Sequence, residues 1–456
     1  MLNLMVPIGL YIHIPFCLKK CFYCDFNSIP VAADIEKQKL TKRYMNALCM
    51  EIEKYMVFPA WKNYQVKSIF FGGGTPSLVG AEEIGETLRY CRKTFKIADD
   101  AEVTIEANPG TVSPDFLKSY LKAGINRISF GCQSFNDYEL KKIGRVHSAE
   151  DIYRSLDMAK EAGFENVGID LIFGIPGQNL ESFKSSLNRA IFLKPHHISL
   201  YNLTIEENTH FYQLIRNGEL KLPDEDEQVW MYEYGIETIS KKGYEHYEIS
   251  NFAVKGKRCR HNENYWRGGE YLGFGAGAHS FIRVQSENVA AEPCSALRNG
   301  KNSKGAKVIG KRWWNVKDVE MYCKGVEDSV QRSAFSLEGQ IPSNPPLLKG
   351  GWGDSKERAM NSEQRATDKV HSVVEGEEFL DREKLISEAM MLGLRLIDGI
   401  DTEEFFNIHG VSIEDKYSKE IKELIKNNLL KLKNIKLKLT HRGILFSNEV
   451  FLKFMV

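Results

Sequence analysis

The sequence has no run of eighteen apolar residues, close to the length a helix needs to cross the hydrocarbon core of a bilayer, so no membrane span is expected. It also lacks a charge bias: Lys+Arg and Asp+Glu each total 61, for a net charge of +0. No global field draws such a chain to nucleic acid or to an anionic membrane surface, and no nucleic-acid partner is expected. The opening stretch, MLNLMVPIGLYIHIPF, carries neither a basic leader nor a small-residue cleavage site, which points to a cytoplasmic protein. Cysteine is scarce, with 9 in 456 residues. An odd number, clustered only at the front, does not make a disulfide framework.

What is present is a long, ordinary globular composition, 43% hydrophobic and 27% charged. A chain of this length exceeds one hydrophobic core, so two or three domains are expected. The first two hundred residues alternate between β-rich runs and helical patterns. The runs are GLYIHI (9–14), SIFFGGG (68–74), VTIEANP (103–109), RISFGCQS (127–134), VGIDLIFGIP (167–176) and HISLYNLT (197–204). Strand–helix repetition with Gly or Pro after the strands predicts an α/β fold with a parallel sheet. Six such units predict a partial (β/α)6 barrel, with its chemistry at the C-terminal ends of the strands.

Further boundaries follow from composition. Residues 1–225 form the expected barrel core. Residues 226–284 hold a helix (224–243) and a Gly- and aromatic-rich connecting region. Residues 285–377 contain two polar, Gly- and Pro-rich stretches, 285–307 and about 333–372, around a small ordered piece at 311–327. Such stretches cannot bury enough apolar surface to offset chain entropy, and are expected to be mobile. Residues 378–456 read as three helices and a hairpin, a small winged-helix-like α+β module. Its lysines recur at i,i+4 from glutamates, as in KEIKELIK, which is the pattern of a solvated helix face.

The chemistry concentrates in HIPFCLKKCFYCDF, where Cys17, Cys21 and Cys24 make a C-x3-C-x2-C run. A structural zinc site takes four protein ligands, usually in two pairs, and no second pair follows closely. Three thiolates in eight residues can instead hold three irons of a [4Fe–4S] cube and leave the fourth iron to a non-protein ligand. Other candidates fall at the strand ends. FGGGTP brings Gly73 and Gly74, where backbone can approach a ligand closely, and the hydroxyl of Thr75. Glu106 and Asp170 could hold ribose hydroxyls, Arg145 could pair with a carboxylate, and Gln133 belongs to the same rim.

Together, YIHIPFCLKKCFYCDF, FGGGTPSL, EANPGT, SFGCQSFND, GRVHS and GIDLIFGIPGQ closely resemble the oxygen-independent coproporphyrinogen III oxidase family of radical S-adenosylmethionine (SAM) proteins. The resemblance covers about 1–281, 311–327 and 378–456. It implies a radical SAM barrel with cluster ligands Cys17, Cys21 and Cys24. It implies SAM contacts at Tyr11, Tyr23, Gly73, Gly74, Thr75, Glu106, Gln133, Arg145, Asp170 and Asn202. In the oxidases the cysteine run extends to C-x3-C-x2-C-x-C and a longer N-terminal arm precedes it. Here Phe26 stands at the last position and Tyr11 lies near the start. Both departures point to the sister branch of HemW-type heme chaperones, which are thought to bind heme and hand it to haemoproteins. That branch carries H-N-x-x-Y-W, here HNENYW, so His261, Asn262, Tyr265 and Trp266 are candidate heme contacts, with His279 of GFGAGAHS a further one. A neutral imidazole is a good axial iron ligand, and Tyr and Trp offer flat apolar surface to a porphyrin.

Three functions remain open on this reading. The first is a radical SAM heme chaperone with a [4Fe–4S] cluster, SAM and heme as cofactors and haemoproteins as acceptors. The second is a coproporphyrinogen dehydrogenase that decarboxylates two propionates to vinyls. The third is a protein with a regulatory or structural cluster and a winged-helix-like tail for docking partners. Whether the chain pairs as a homodimer is not written in the sequence.

Overall fold

The computed structural model describes residues 5–31, 35–285, 308–338 and 373–455. Six parallel strands form the heart of the molecule: β1 (Val6–Ile14), β2 (Tyr64–Gly73), β3 (Ile97–Ala107), β4 (Arg127–Gln133), β5 (Val167–Phe173) and β6 (His197–Asn202). All six expected strands are there, in sequence order across the sheet.

Their residue pattern explains the curl. Along each strand one set of alternate positions is apolar and fully buried: Leu10, Ile12 and Ile14; Ile69 and Phe71; Val103 and Ile105; Ile128 and Phe130; Ile169 and Leu171; Ile198 and Leu200. This face packs on α1 (Ile35–Lys54), α2 (Ala81–Thr94), α3 (Pro114–Ala123), α4 (Ala149–Ala162) and α5 (Leu180–Phe192). Each fully buried Ile, Leu or Phe stabilises the fold by roughly 1.5–3 kcal/mol. The other alternate set is mostly Gly, Ser, Tyr, His, Glu, Arg and Asp, with Phe70, Thr104 and Ile172 among them, and it points into the barrel. A strand has period two, so one register serves a dry outer layer and a polar lumen together. The crossover helices start and stop on clear signals. Ser113 and Ser148 accept backbone N–H bonds at the starts of α3 and α4, and Gly124 and Gly163 end them in the left-handed conformation.

The sheet then grows at both edges. Beside β6 lies β8 (Asn251–Ala253), antiparallel to it, and β7 (Glu245–Glu248) pairs antiparallel to β8 at the sheet edge, both reached through α6 (Glu225–Lys241). On the other side, β9 (Glu270–Phe274) pairs parallel to β1. It is followed by antiparallel β10 (His279–Gln285), β11 (Val308–Asn315) and β12 (Val374–Leu380), giving twelve strands among the described residues. Between β8 and β9 sits the short α7 (Arg260–Trp266).

Here the structure departs from the expected divisions. The piece at 311–327 is no island between insertions. It is β11 and the start of α8 (Val319–Glu338), which packs on α1. Residues 378–380, expected to begin the C-terminal helices, end β12. The reason is long-range pairing, which local composition does not encode. Glu51 of α1 is its anchor: the buried carboxylate accepts from the Gly275 amide (2.8 Å), Asn315 Nδ2 (2.7 Å) and the Tyr322 hydroxyl (2.6 Å). The expected mobile stretches at 285–307 and 333–372 lie outside the described residues, apart from the ends of β10 and α8.

The C-terminal module has its own core around Ile386, Met390, Phe405, Leu424, Leu437 and Phe451. It combines α9 (Arg382–Gly393), α10 (Thr402–His409) and α11 (Ser418–Lys426) with a small sheet of β13 (Ile400–Asp401), β14 (Leu430–Lys433) and β15 (Lys436–Leu439). The hairpin, expected within 435–455 after a helix reaching 434, lies instead at 430–439, a third strand pairs with it, and His441–Leu445 and Ser447–Leu452 are helical. Backbone bonds Ile249–Arg395 and Ile397–Tyr247 tie the module to the edge of the barrel sheet. No helix among the described residues is long and apolar enough to cross a membrane.

Candidate functional site

Residues 16–31 follow β1 directly and fold over the C-terminal ends of the strands. Phe16–Cys17 pair with Ile29–Pro30, which closes the loop and brings its three cysteines to the barrel mouth. Cys17, Cys21 and Cys24 are free thiols, each partly exposed. They line one cavity of ≈ 120 Å³ together with Tyr23, Gly73, Gly74, Thr75, Glu106, Gln133, Arg145 and Asp170. Thr75 Oγ1 donates to Cys17 Sγ at 3.5 Å and Arg145 Nη1 to Cys21 Sγ at 3.5 Å. Burial pushes the Cys17 and Cys24 thiols up, with Thr75 opposing this at Cys17. Among the described residues no three His, Cys, Asp or Glu side chains converge as a single ion would require. A cube, three of whose irons would each take one thiolate, does not ask for that convergence.

The glycines are held by their neighbours. Gly73 has φ +113, and a Cβ there would come within 2.5 Å of the His13 ring. At Gly74 it would meet the Phe16 carbonyl at 2.7 Å. The Gly73 amide donates to Glu106 at 3.2 Å. Glu106 and Asp170 face one another from β3 and β5. Burial, and then the Asp170 charge, push the Glu106 carboxyl up to about 8. Burial raises Asp170 as well. Gln133 ends β4 with φ +67, a left-handed conformation uncommon outside glycine. Strain of this kind collects where a side chain must be aimed. The Arg145 guanidinium donates to Asn108 and the Gly131 carbonyl, yet its buried Nε has no partner. An orphaned donor in a cavity walled by three thiols and two carboxylates fits a cluster with an amino-acid ligand.

A second cavity of ≈ 510 Å³ adjoins the first, and Lys20, Phe26, Gly73 and Glu106 line both. Its walls include Tyr11, Tyr265 and Tyr271, with His279 and Lys317 at the mouth formed by the strands added beside β1. Phe26 is 67% exposed on the shared rim. Another ≈ 510 Å³ depression lies at the opposite strand ends, near Glu102, Arg258 and Arg260. There the guanidiniums are spent on Asp100, Glu245 and Glu263.

Eight of the ten expected SAM contacts therefore share the cysteine cavity. Tyr11 lines the adjoining one, and Asn202 sits exposed at the end of β6, outside both. The expected heme contacts are split up. His261 is 1% exposed in the barrel floor. Its ring nitrogens are hydrogen-bonded to Ser68 Oγ (2.9 Å) and the Tyr265 hydroxyl (2.9 Å), and burial lowers its pKa to about 3. Glu102 of β3 accepts from the Arg260 and His261 amides, capping α7 and locking this histidine inward. Tyr265 reaches the large cavity, while Trp266 lies under the Arg395 guanidinium, 4.3 Å away, at the junction with the C-terminal module. Asn262 is on the same helix, outside the cavity lining. The expectation that His261 offers an axial nitrogen does not match a ring whose two nitrogens are already engaged. Sequence reading missed Asn108, Tyr271 and Lys317. Asn108 stood within the quoted EANPG, whereas Tyr271 and Lys317 join the site only through the edge strands.

Comparison with known proteins agrees. Residues 11–190 match the Radical SAM superfamily and residues 380–446 the HemN C-terminal domain. The chain is 34% identical to Heme chaperone HemW of Bacillus subtilis, over 98% of each chain. It is 33% identical to that of Lactococcus lactis, over 99% of this chain and 98% of the relative. Against HemW of Haemophilus influenzae it is 43% identical over 60% of this chain and 70% of the relative. Among solved structures, coproporphyrinogen III oxidase (HemN) from Escherichia coli superposes with a TM-score of 0.71 at 22% identity, covering 99% of this chain and 90% of that one.

Proposed function

This chain belongs to the HemW heme-chaperone family of radical SAM proteins, and from that premise we propose that it binds a [4Fe–4S] cluster, SAM and heme and delivers heme to haemoproteins. One observation carries the reading. A three-thiol cavity with an orphaned arginine opens into a larger aromatic-walled cavity, and the two share a rim.

Cys17, Cys21 and Cys24 are the cluster ligands in this reading. Gly73, Gly74 and Thr75 receive the amino-acid end of SAM, and Arg145 meets its carboxylate. Glu106 and Asp170 hold ribose hydroxyls, with Tyr11, Tyr23, Gln133 and Asn202 completing the nucleoside's surroundings. When bound, the cluster and SAM supply one-electron reductive chemistry at the sulfonium. The chain orients the nucleoside, and its buried strand ends exclude water. The larger cavity takes the porphyrin against Tyr265 and Tyr271. The protein works in the cytoplasm.

The test is hemin titration of anaerobically reconstituted protein, with and without SAM, beside a decarboxylation assay with coproporphyrinogen III and reductant. A saturable Soret shift without protoporphyrinogen formation is the expected result. Absence of a Soret shift, or turnover of coproporphyrinogen III, overturns the chaperone reading in favour of the dehydrogenase.

A further inference from the structure

Given that heme is bound at all, which is the reading above, we propose that its iron is ligated by His279, and that Lys20 and Lys317 receive its propionates. The histidines around the large cavity are not equivalent. His13 accepts from the Tyr11 hydroxyl at Nδ1 (3.0 Å) and donates from Nε2 to the Asn27 carbonyl (2.8 Å). His261 is spent on Ser68 and Tyr265. The phenols of Tyr11 and Tyr265 are consumed by the same two contacts. His279 alone of the three is solvent-facing, and its ring makes no hydrogen bond among the described residues. Burial and the nearby cations Arg312 and Lys317 lower its pKa, so the imidazole is neutral, as an iron ligand must be.

The fold also aims this ring. His279 opens β10 and stands opposite Trp314 of β11, which in turn stands opposite Gly376 of β12. The imidazole stacks on the indole with ring centroids 5.7 Å apart and planes inclined by 23°. Gly376 is what lets the indole lie there, because a Cβ would collide with its six-membered ring. Three strands thus build a platform for one histidine at the cavity mouth.

The remaining cavity has the chemistry of a heme site. Tyr265 and Tyr271 give aromatic walls, and ≈ 510 Å³ falls in the usual range of ligand cavities, roughly 300–1,000 Å³. Lys20 and Lys317 on its rim make no ion pair among the described residues and are free to meet carboxylates. Lys20 does donate to the Phe26 carbonyl at 3.1 Å, which holds its chain along that rim. Sequence alone favoured His261, because it stands in the family motif. The structure assigns it to the floor beneath the cavity.

The experiment uses full-length reconstituted protein, hemin, and the variants His279→Gly and His261→Phe. Cluster content and SAM binding, equal to wild type, report that each variant is folded. His279→Gly is expected to weaken hemin binding ten-fold or more and to lose the histidine-ligated signature in its optical and electron paramagnetic resonance spectra. Added imidazole is expected to restore that signature. Lys317→Glu is expected to weaken hemin several-fold while leaving the dimethyl ester of hemin unaffected. If His279→Gly keeps wild-type affinity and spectrum, or if folded His261→Phe loses the signature instead, the assignment is overturned while the heme-carrier reading stands. If wild-type protein binds no hemin, that reading falls and takes this assignment with it.

Discussion

Replacing Glu106 by glutamine should change how stability depends on pH. In the apo protein burial and Asp170 hold this carboxyl near 8, against an ordinary 4.5. A raised acid pKa means that the folded state holds its proton more tightly than the unfolded chain. The stability this gives is complete below about 4.5 and is lost as pH climbs through 8. With those two values the loss between pH 5.5 and pH 8 integrates to about 3 kcal/mol. The carboxyl meets an open cavity where solvent screens it, so ~1–3 kcal/mol is the range to expect. A glutamine amide at this position has no titrating proton to lose. Urea unfolding of apo wild type and Glu106→Gln at several pH values isolates this carboxyl together with its coupling to Asp170, since the distant titrating residues cancel in the difference. Wild type should lose ground to the variant steadily between pH 5.5 and 8. Parallel curves would refute the claim that these two carboxyls are forced into competition at the barrel mouth.

Cys17→Ser, Cys21→Ser and Cys24→Ser should each abolish the brown colour and the iron content of reconstituted protein, checked by absorbance and iron assay. Gly73→Ala should abolish SAM binding in equilibrium dialysis and cost about 2–5 kcal/mol in urea unfolding, from its positive φ and the overlap with His13. Glu51→Ala should cost about 3 kcal/mol or more by the same measurement, because three buried donors lose their acceptor. A loss below about 1 kcal/mol would mean that β11 and α8 are not pinned through this carboxylate.

The barrel was legible in the sequence because its information is local. Leu10, Ile12 and Ile14 alternate with Tyr11 and His13, and the same period-two signal repeats in the other strands. The cluster loop was legible for a similar reason: three cysteines within eight residues are brought together by one turn. The strand-end candidates share a cavity because parallel β/α connections put every strand's C-terminal end on one side. The edge strands were not legible. β9 finds β1 across more than two hundred and fifty residues, and nothing in EYLGF or KRWWN says which neighbour it will take. The side to which each residue of HNENYW points was equally hidden, since α7 is short and is capped by Glu102 from a distant strand.

Six β/α units and a three-cysteine loop after the first strand can be read from the residues alone, because periodicity and short spacing survive without tertiary context. The tertiary structure decided which histidine faces the cavity. By its place in HNENYW the sequence favours His261 over His279, but a lumen filled by Ser68 and Tyr265 claims the first, and a strand pair ending in Gly376 leaves the second stacked and free. That choice rests on hydrogen-bond satisfaction across strands far apart in sequence, which no local pattern can encode.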